Sequence, residues 1–381
     1  MSTTSRPALR WAVPAGVTAL VLSGAVLGPA LSASAEVELP ERTPEQLLTD
    51  LQTADVDAFS GTVAHHADLG LPSLPSGMGG GEHSTDAASL LDGSHDLRVW
   101  AAGNSARVSL HGEMGELTVV TDGEDLWTWS SDEQTATHAD LPAHDPAAAA
   151  AAAEARAAMP TATPEAVTDA VLQALDPTTT VTSGPNVTVA GRPAYVLVLE
   201  PAEPGSLVGS VRVAVDAGEL VPTRVQVFPA GSSTPALDVG FTSLSFETPD
   251  ADLFSFTPPP GATVEERTSD GHGMLPGDLP SGLAGNADVP GDVWSYAARV
   301  GTGWSTVLVG RVPAGALAAA EGDAAAFLGA LPRVSGDWGS GRLLTSRLFS
   351  ALVTDDGRVL VGAVDGDTLT AAAADPAADL G

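Results

Sequence analysis

The sequence predicts an α+β protein built on an antiparallel sheet, with a smaller α+β unit behind it. Three observations predict this. Strand-forming segments recur from Phe59 to Phe256 with connections too short for crossover helices. Two helical segments interrupt them mid-sheet, where they can cover one face. A Gly/Pro/Asp-rich stretch at 263–290, poor in large apolar side chains, reads as a linker to residues 291–381. The clearest strand pair is Leu117–Ser130: Asp122-Gly123 supplies the positive φ of a tight turn, and Trp127 and Trp129 then share one face.

Composition narrows the function. The chain has 381 residues, 44% of them hydrophobic, enough for two domains and a real core. Its net charge of −32 would be repelled by phosphate backbones and anionic membrane surfaces, so no nucleic-acid partner is expected. All 16 basic residues are arginine, which excludes Schiff-base lysines and a Walker lysine. The absence of cysteine excludes disulfides, thiol nucleophiles, thiolate metal sites and an acylated N-terminal cysteine.

Residues 1–35 read as a signal peptide or signal anchor. Arg6 and Arg10 form the basic region, Trp11–Leu31 is apolar or small, and Ala33-Ser34-Ala35 is a cleavage pattern. Either form places the remainder outside the cytoplasm. Thr43-Pro44-Glu45-Gln46 opens a helix, with Thr43 as N-cap and Gln46 completing a capping box. Phe59–Ala67 reads as the first strand, and Gly70–Ser89 as a long loop. Strands follow at His95–Ala101, at Ala106–Leu110, through the Leu117–Ser130 hairpin, and at Ala136–His138. The alanine run Ala147–Ala153 and the segment after Thr163-Pro164-Glu165 are the two helices. Strands resume at Asn186–Ala190. Tyr195–Leu199 is apolar on both faces, which implies cover on both sides. Val211–Val215, Val225–Phe228 and Ala236–Phe246 complete the set, about ten strands in all. In the last unit, Trp304–Val312 reads as a strand, Pro313–Leu331 as a helix, Leu343–Val353 and Arg358–Val364 as a hairpin, and Thr368–Ala374 as a short helix.

No motif for chemistry stands out. Of the eight histidines only His65-His66 are adjacent; on a strand they point to opposite faces and cannot chelate one metal, so they read as polar surface or loop. No G-x-S-x-G, H-E-x-x-H or P-loop pattern appears, and Asp337-Trp338-Gly339-Ser340-Gly341 reads as a turn. The chain reads as a non-enzyme needing no cofactor. The informative residues are Trp100, Trp127 and Trp129, which line either an ordinary packed core or an apolar cavity.

Four segments in order carry a family resemblance: Ser60-Gly61-Thr62-Val63; Asp122-Gly123 with Leu126-Trp127-Thr128-Trp129; Val189-Ala190-Gly191-Arg192-Pro193-Ala194-Tyr195-Val196-Leu197; and Phe254–Ala262. Across Pro40–Val264 the chain resembles the LolA/LolB-like superfamily of lipoprotein carriers, the stress sensor RseB and mycobacterial lipid carriers. The resemblance implies an unclosed antiparallel half-barrel over residues 36–262, helices as its lid, and a cavity for lipid or lipoprotein acyl chains. It brings no catalytic residues. The cavity positions it implies are Trp100, Leu117, Val119, Trp127, Trp129, Tyr195, Leu197, Leu199 and Phe228. Residues 291–381 resemble the RseB arrangement, which implies a membrane protein partner, such as an anti-sigma factor, contacted by the smaller unit. A third reading is a cell-envelope protein with a dry core.

Overall fold

In a computed structural model, the described residues are 39–54, 56–71, 92–111, 115–140, 178–267, 296–311, 327–375 and 378. The expected export segment, alanine-rich lid and helix after Thr163, with most of the expected loop after Gly70, linker and Pro313–Leu331 helix, lie outside them.

The chain enters through α1 (Pro44–Thr53). Its capping box is present: the Gln46 amide donates to Thr43 Oγ1 at 3.3 Å and the Thr43 amide donates to Gln46 Oε1 at 3.0 Å. A meander follows, β1 (Ala58–Asp68), β2 (Asp92–Ala102), β3 (Ser105–His111), β4 (Glu116–Thr121), β5 (Asp125–Ser130) and β6 (Thr135–Asp140). A second meander runs β7 (Thr179–Val189), β8 (Arg192–Pro201), β9 (Val208–Asp216), β10 (Pro222–Pro229) and β11 (Leu237–Ser245). β11 pairs with β1, which joins the two meanders into one sheet. With β12 (Thr263–Arg267) the sheet has twelve strands in the order β12-β6-β5-β4-β3-β2-β1-β11-β10-β9-β8-β7, and its two end strands do not pair. It is open, as expected.

Three details differ from the sequence reading. β7 starts at Thr179, well before Asn186, because Thr179–Thr182 is a β-branched run. Thr263–Arg267, read as the start of the linker, forms β12 and pairs parallel with β6. Leu343–Val353 is divided by a tight turn at Ser346, whose Oγ accepts the Leu348 and Phe349 amides.

The remaining strands form a second, six-stranded sheet in the order β13-β14-β18-β17-β16-β15. They are β13 (Tyr296–Val300), β14 (Val307–Arg311), β15 (Arg333–Gly336), β16 (Gly339–Thr345), β17 (Ser350–Thr354) and β18 (Arg358–Gly362). Helix α2 (Gly366–Ala373) buries Leu369 and Ala372 against Val309, Leu352 and Leu360. The two sheets share a core: Trp304, Leu348, Phe349 and Ala363 pack with Val63, Leu69 and Leu97 of the large sheet. Backbone bonds hold the contact, Arg347 N to Leu69 O and Leu207 N to Ala363 O, both 2.7 Å. Arg347 also pairs with Asp68, and Trp304 Nε1 donates to Thr179 Oγ1 at 2.8 Å.

Candidate ligand-binding site

Directly paired residues in an antiparallel ladder project to the same side, so the registers sort the nine sequence-predicted positions. One ladder runs Leu197–Val213–Val225–Val239–His65–His95 across β8, β9, β10, β11, β1 and β2. Others on that side run Val63–Leu97–Leu110–Leu117 and Gly61–Val99–Val108–Val119. This leucine face holds Leu117, Val119, Tyr195, Leu197 and Leu199. The opposite face carries the ladder Ser60–Trp100–Arg107–Val120–Trp127–His138–Glu266 and the row Thr118–Trp129–Ala136–Val264. This tryptophan face holds Trp100, Trp127, Trp129 and Phe228. The structure therefore divides the nine residues between two sides of one sheet.

Each face has different cover. On the tryptophan face the chain roofs itself. A 3-10 turn at Ala251–Phe254 crosses β3, Arg107 Nη1 donates to Leu253 O at 3.2 Å, and Phe254 is buried. The Phe256 ring lies 5.4 Å from Trp127 and 6.4 Å from Trp129. Further along, Arg212 sits 4.3 Å above the Phe228 ring. On the leucine face, α1 places Leu47 against Tyr195, Leu197 and Val215, and the second sheet places Leu348 and Phe349 against Val63 and Leu97. Val108, Val119, Leu199, Val211, Val213 and Val225 on this face are only half-buried among the described residues.

The leucine face also holds His65, which its polarity placed on the surface in the sequence reading. His65 and His95 are cross-strand partners, 0% and 6% exposed. Burial, then the neighbouring His95 and His66, push the His65 pKa down to about 2, so the imidazole is neutral and no charge enters the apolar face. The signal was available: Val63, His65 and Ala67 share a strand face, and that face is the core side. Among the described residues no group of three His, Asp or Glu side chains can hold a metal ion. No helix there is long and apolar enough to cross a membrane.

A cavity of about 540 Å³ opens where the segment before α1 meets the β7 edge. Its lining mixes Leu39, Leu47 and Val196 with Glu41, Arg42 and Asn186. Tyr195 donates from its hydroxyl to Pro40 O at 3.1 Å, and the Arg42 guanidinium lies 5.7 Å over its ring while pairing with Asp50. Nothing periodic in residues 39–43 signals this site, because the wall exists only once that segment lies against β8.

At the far edge His138 is clamped between Asp125 (Nε2 to Oδ1, 2.9 Å) and Glu266 (Nδ1 to Oε2, 2.8 Å), and stacks on Trp127 at 4.3 Å. The bond to Asp125, then the bond and charge of Glu266, outweigh desolvation and raise its pKa above the ordinary 6.5. A raised pKa stabilises the fold below about 6.5, and that stabilisation is lost as pH rises through the folded value. Since both carboxylates are substantially exposed, the pair contributes under about 1 kcal/mol. In thermal melts, His138→Gln is expected to lower the midpoint at pH 5.5 and to leave it nearly unchanged at pH 8.5; equal shifts at both pH values would contradict the charged clamp.

No family model matches the chain, and no curated protein matches it. Among solved structures, the MucA/MucB complex of Pseudomonas aeruginosa contains a chain aligned over 87% of this one and 96% of its own length, at 14% identity and a TM-score of 0.41. The chain is similar to MucB. It is also similar to an uncharacterized conserved protein from Thermus thermophilus, over 58% of this chain and 98% of that one, at 11% identity and a TM-score of 0.33. A LolA superfamily protein from Nitrosomonas europaea aligns over 57% of this chain and 99% of its own, at 12% identity and a TM-score of 0.20.

Proposed function

We propose that the chain is an exported, non-enzymatic binder of lipid or lipoprotein acyl chains, which lie against the leucine face. The observation that carries this reading is the extent of that face: aliphatic rows run from Leu199 and Val211 at one end to Val108 and Val119 at the other, with the buried pair His65–His95 between them, and among the described residues α1 and the second sheet cover only parts of it. Leu117, Val119, Tyr195, Leu197 and Leu199 are then the lining. Trp100, Trp127, Trp129 and Phe228 stiffen the sheet from behind. The alanine-rich segment 147–158 serves as the lid, residues 1–35 direct the chain out of the cytoplasm, and the residues after β12, 268–290, link the unit that carries the large sheet to 291–381.

Energetics suits a carrier. Burying an acyl chain gains about 0.8 kcal/mol per CH₂, roughly 12 kcal/mol for sixteen carbons. A bilayer offers the same gain, so transfer between bilayer and protein is nearly neutral and reversible. A second reading, a sensor that regulates a membrane anti-sigma factor or other partner through 291–381, is favoured by one observation. Leu348 and Phe349 of the second sheet sit in the same apolar cluster as Val63 and Leu97, so a ligand on the leucine face would press on that contact.

The test is native mass spectrometry of residues 36–381 purified without detergent, before and after organic extraction. A bound mass in the lipid range that extraction removes is the expected result. A clean unliganded mass, together with no uptake of a fluorescent fatty acid, would overturn the reading.

A further inference from the structure

The two ends of the large sheet are built differently. β12 is five residues long and carries Glu265, Glu266 and Arg267, the short charged edge that discourages pairing with other chains. β7 is eleven residues long, TTVTSGPNVTV, without one charged side chain. Among the described residues no strand pairs with its outer side. Thr180, Thr182 and Ser183 are exposed. Only Pro185 and the irregularity between Gly184 and Val187 interrupt the strand, which leaves Thr179–Gly184 as a regular, uncharged edge. Such an edge presents a row of backbone donors and acceptors to an incoming strand.

The cavity lies at the end of that edge, with Ser183, Gly184 and Asn186 on one wall and residues 39–43 on the other. Its charges are not equivalent. Arg42 is committed to Asp50 and to the Tyr195 ring. Glu41 is exposed and forms no ion pair among the described residues. A net charge of −32 adds long-range attraction for basic partners.

We propose that the outer edge of β7 accepts an extended peptide strand from a partner protein, and that a basic side chain of that strand enters the neighbouring cavity beside Glu41. Backbone bonds along Thr179–Gly184 supply the attachment and the cavity supplies the selectivity, the division of labour of strand addition. The β7 edge lies apart from the leucine face, and Tyr195 is the one residue of the acyl lining that also borders the cavity, so peptide binding and acyl uptake are read by separate measurements.

The test uses the purified full-length chain and a fluorescein-labelled, acetylated nonapeptide of alternating Thr and Val with a central Lys, against the same peptide with a central Glu. Fluorescence anisotropy is expected to show the Lys peptide binding about fivefold more tightly, and E41Q to remove that difference. Hydrogen exchange is expected to show new amide protection at Thr179–Gly184 when the Lys peptide is bound. The proposal is overturned if the Lys peptide does not bind, if the two peptides bind equally, or if protection rises only elsewhere. It is also overturned if Thr179–Gly184 is already fully protected without peptide, because a segment of the chain itself or a second copy then fills the edge.

Discussion

Arg192→Met is expected to lower stability by about 2–4 kcal/mol at neutral pH, measured by chemical denaturation. Its partner Asp216 has a side chain only 1% exposed. Two bonds join them across β8 and β9, Nε to Oδ2 at 2.7 Å and Nη2 to Oδ1 at 3.0 Å. Oδ1 also accepts the amides of Gly218 and Glu219, at 3.0 and 2.8 Å, which shapes the turn into β10. Removing the guanidinium leaves a buried carboxylate with amides as its remaining partners, and that residual cost sets the size of the effect. Burial alone would raise the Asp216 carboxyl; the bonds from Arg192, then those from the Glu219 and Gly218 amides, hold it below the ordinary 3.8. A depressed pKa stabilises the fold above about 3.8, and that stabilisation is lost as pH falls through the folded value. The gap between wild type and variant therefore narrows below pH 3.8. Equal stability at pH 7 would sink the assignment.

Trp129→Ala and Leu199→Asp are expected to separate packing from binding. Trp129 is 8% exposed and packs against Phe256 on the roofed face. Its truncation costs about 3–5 kcal/mol, while fatty-acid uptake by the protein that remains folded stays the same. Leu199 is half-buried on the leucine face, beside Val211 and Val181. A carboxylate there meets the acyl chain, so uptake falls roughly tenfold or more, with a smaller loss of stability than for Trp129→Ala. The opposite pattern would move the binding surface to the tryptophan face.

Much of the fold was legible because local chemistry specifies it. Thr43 and Gln46 spell out the cap of α1. Asp122-Gly123 spells out the β4–β5 hairpin, with Gly123 at φ +101° and Asp122 Oδ1 accepting the Glu124 and Asp125 amides. The apolar run Tyr195–Leu199 announced cover on both sides. Tyr195 and Leu197 do meet α1, whereas on the other side Ala194 and Val196 pack with Val189 and Ala214 of the neighbouring strands of the same sheet. β12 and the first half of β7 were missed. Thr263–Arg267 is a charged edge whose pairing with β6 bridges more than a hundred residues of sequence, and no local pattern announces such a partner.

The candidate site was legible only in its residue types. Within one strand, alternation shows that Trp127 and Trp129 share a side and that Leu117 and Val119 share a side. It cannot show whether those two sides are the same, because that depends on register. The pairing of Val120 with Trp127 sets Leu117 and Val119 opposite the tryptophans. His65 posed the same problem: its polarity suggested surface, and its place beside Val239 put it inside.

By itself, then, the sequence determined the strand-rich class, the hairpins, the helix cap and the exclusion of thiol and lysine chemistry, since each follows from residue identity or from neighbours within a few positions. Only the tertiary structure decided that β11 closes on β1, that the nine apolar candidates divide between two faces, and that Glu41 and Arg42 border a cavity at an uncharged edge. The physical reason is that a pleated strand offers both its sides to packing equally, and the choice between them belongs to partners brought together from far along the chain.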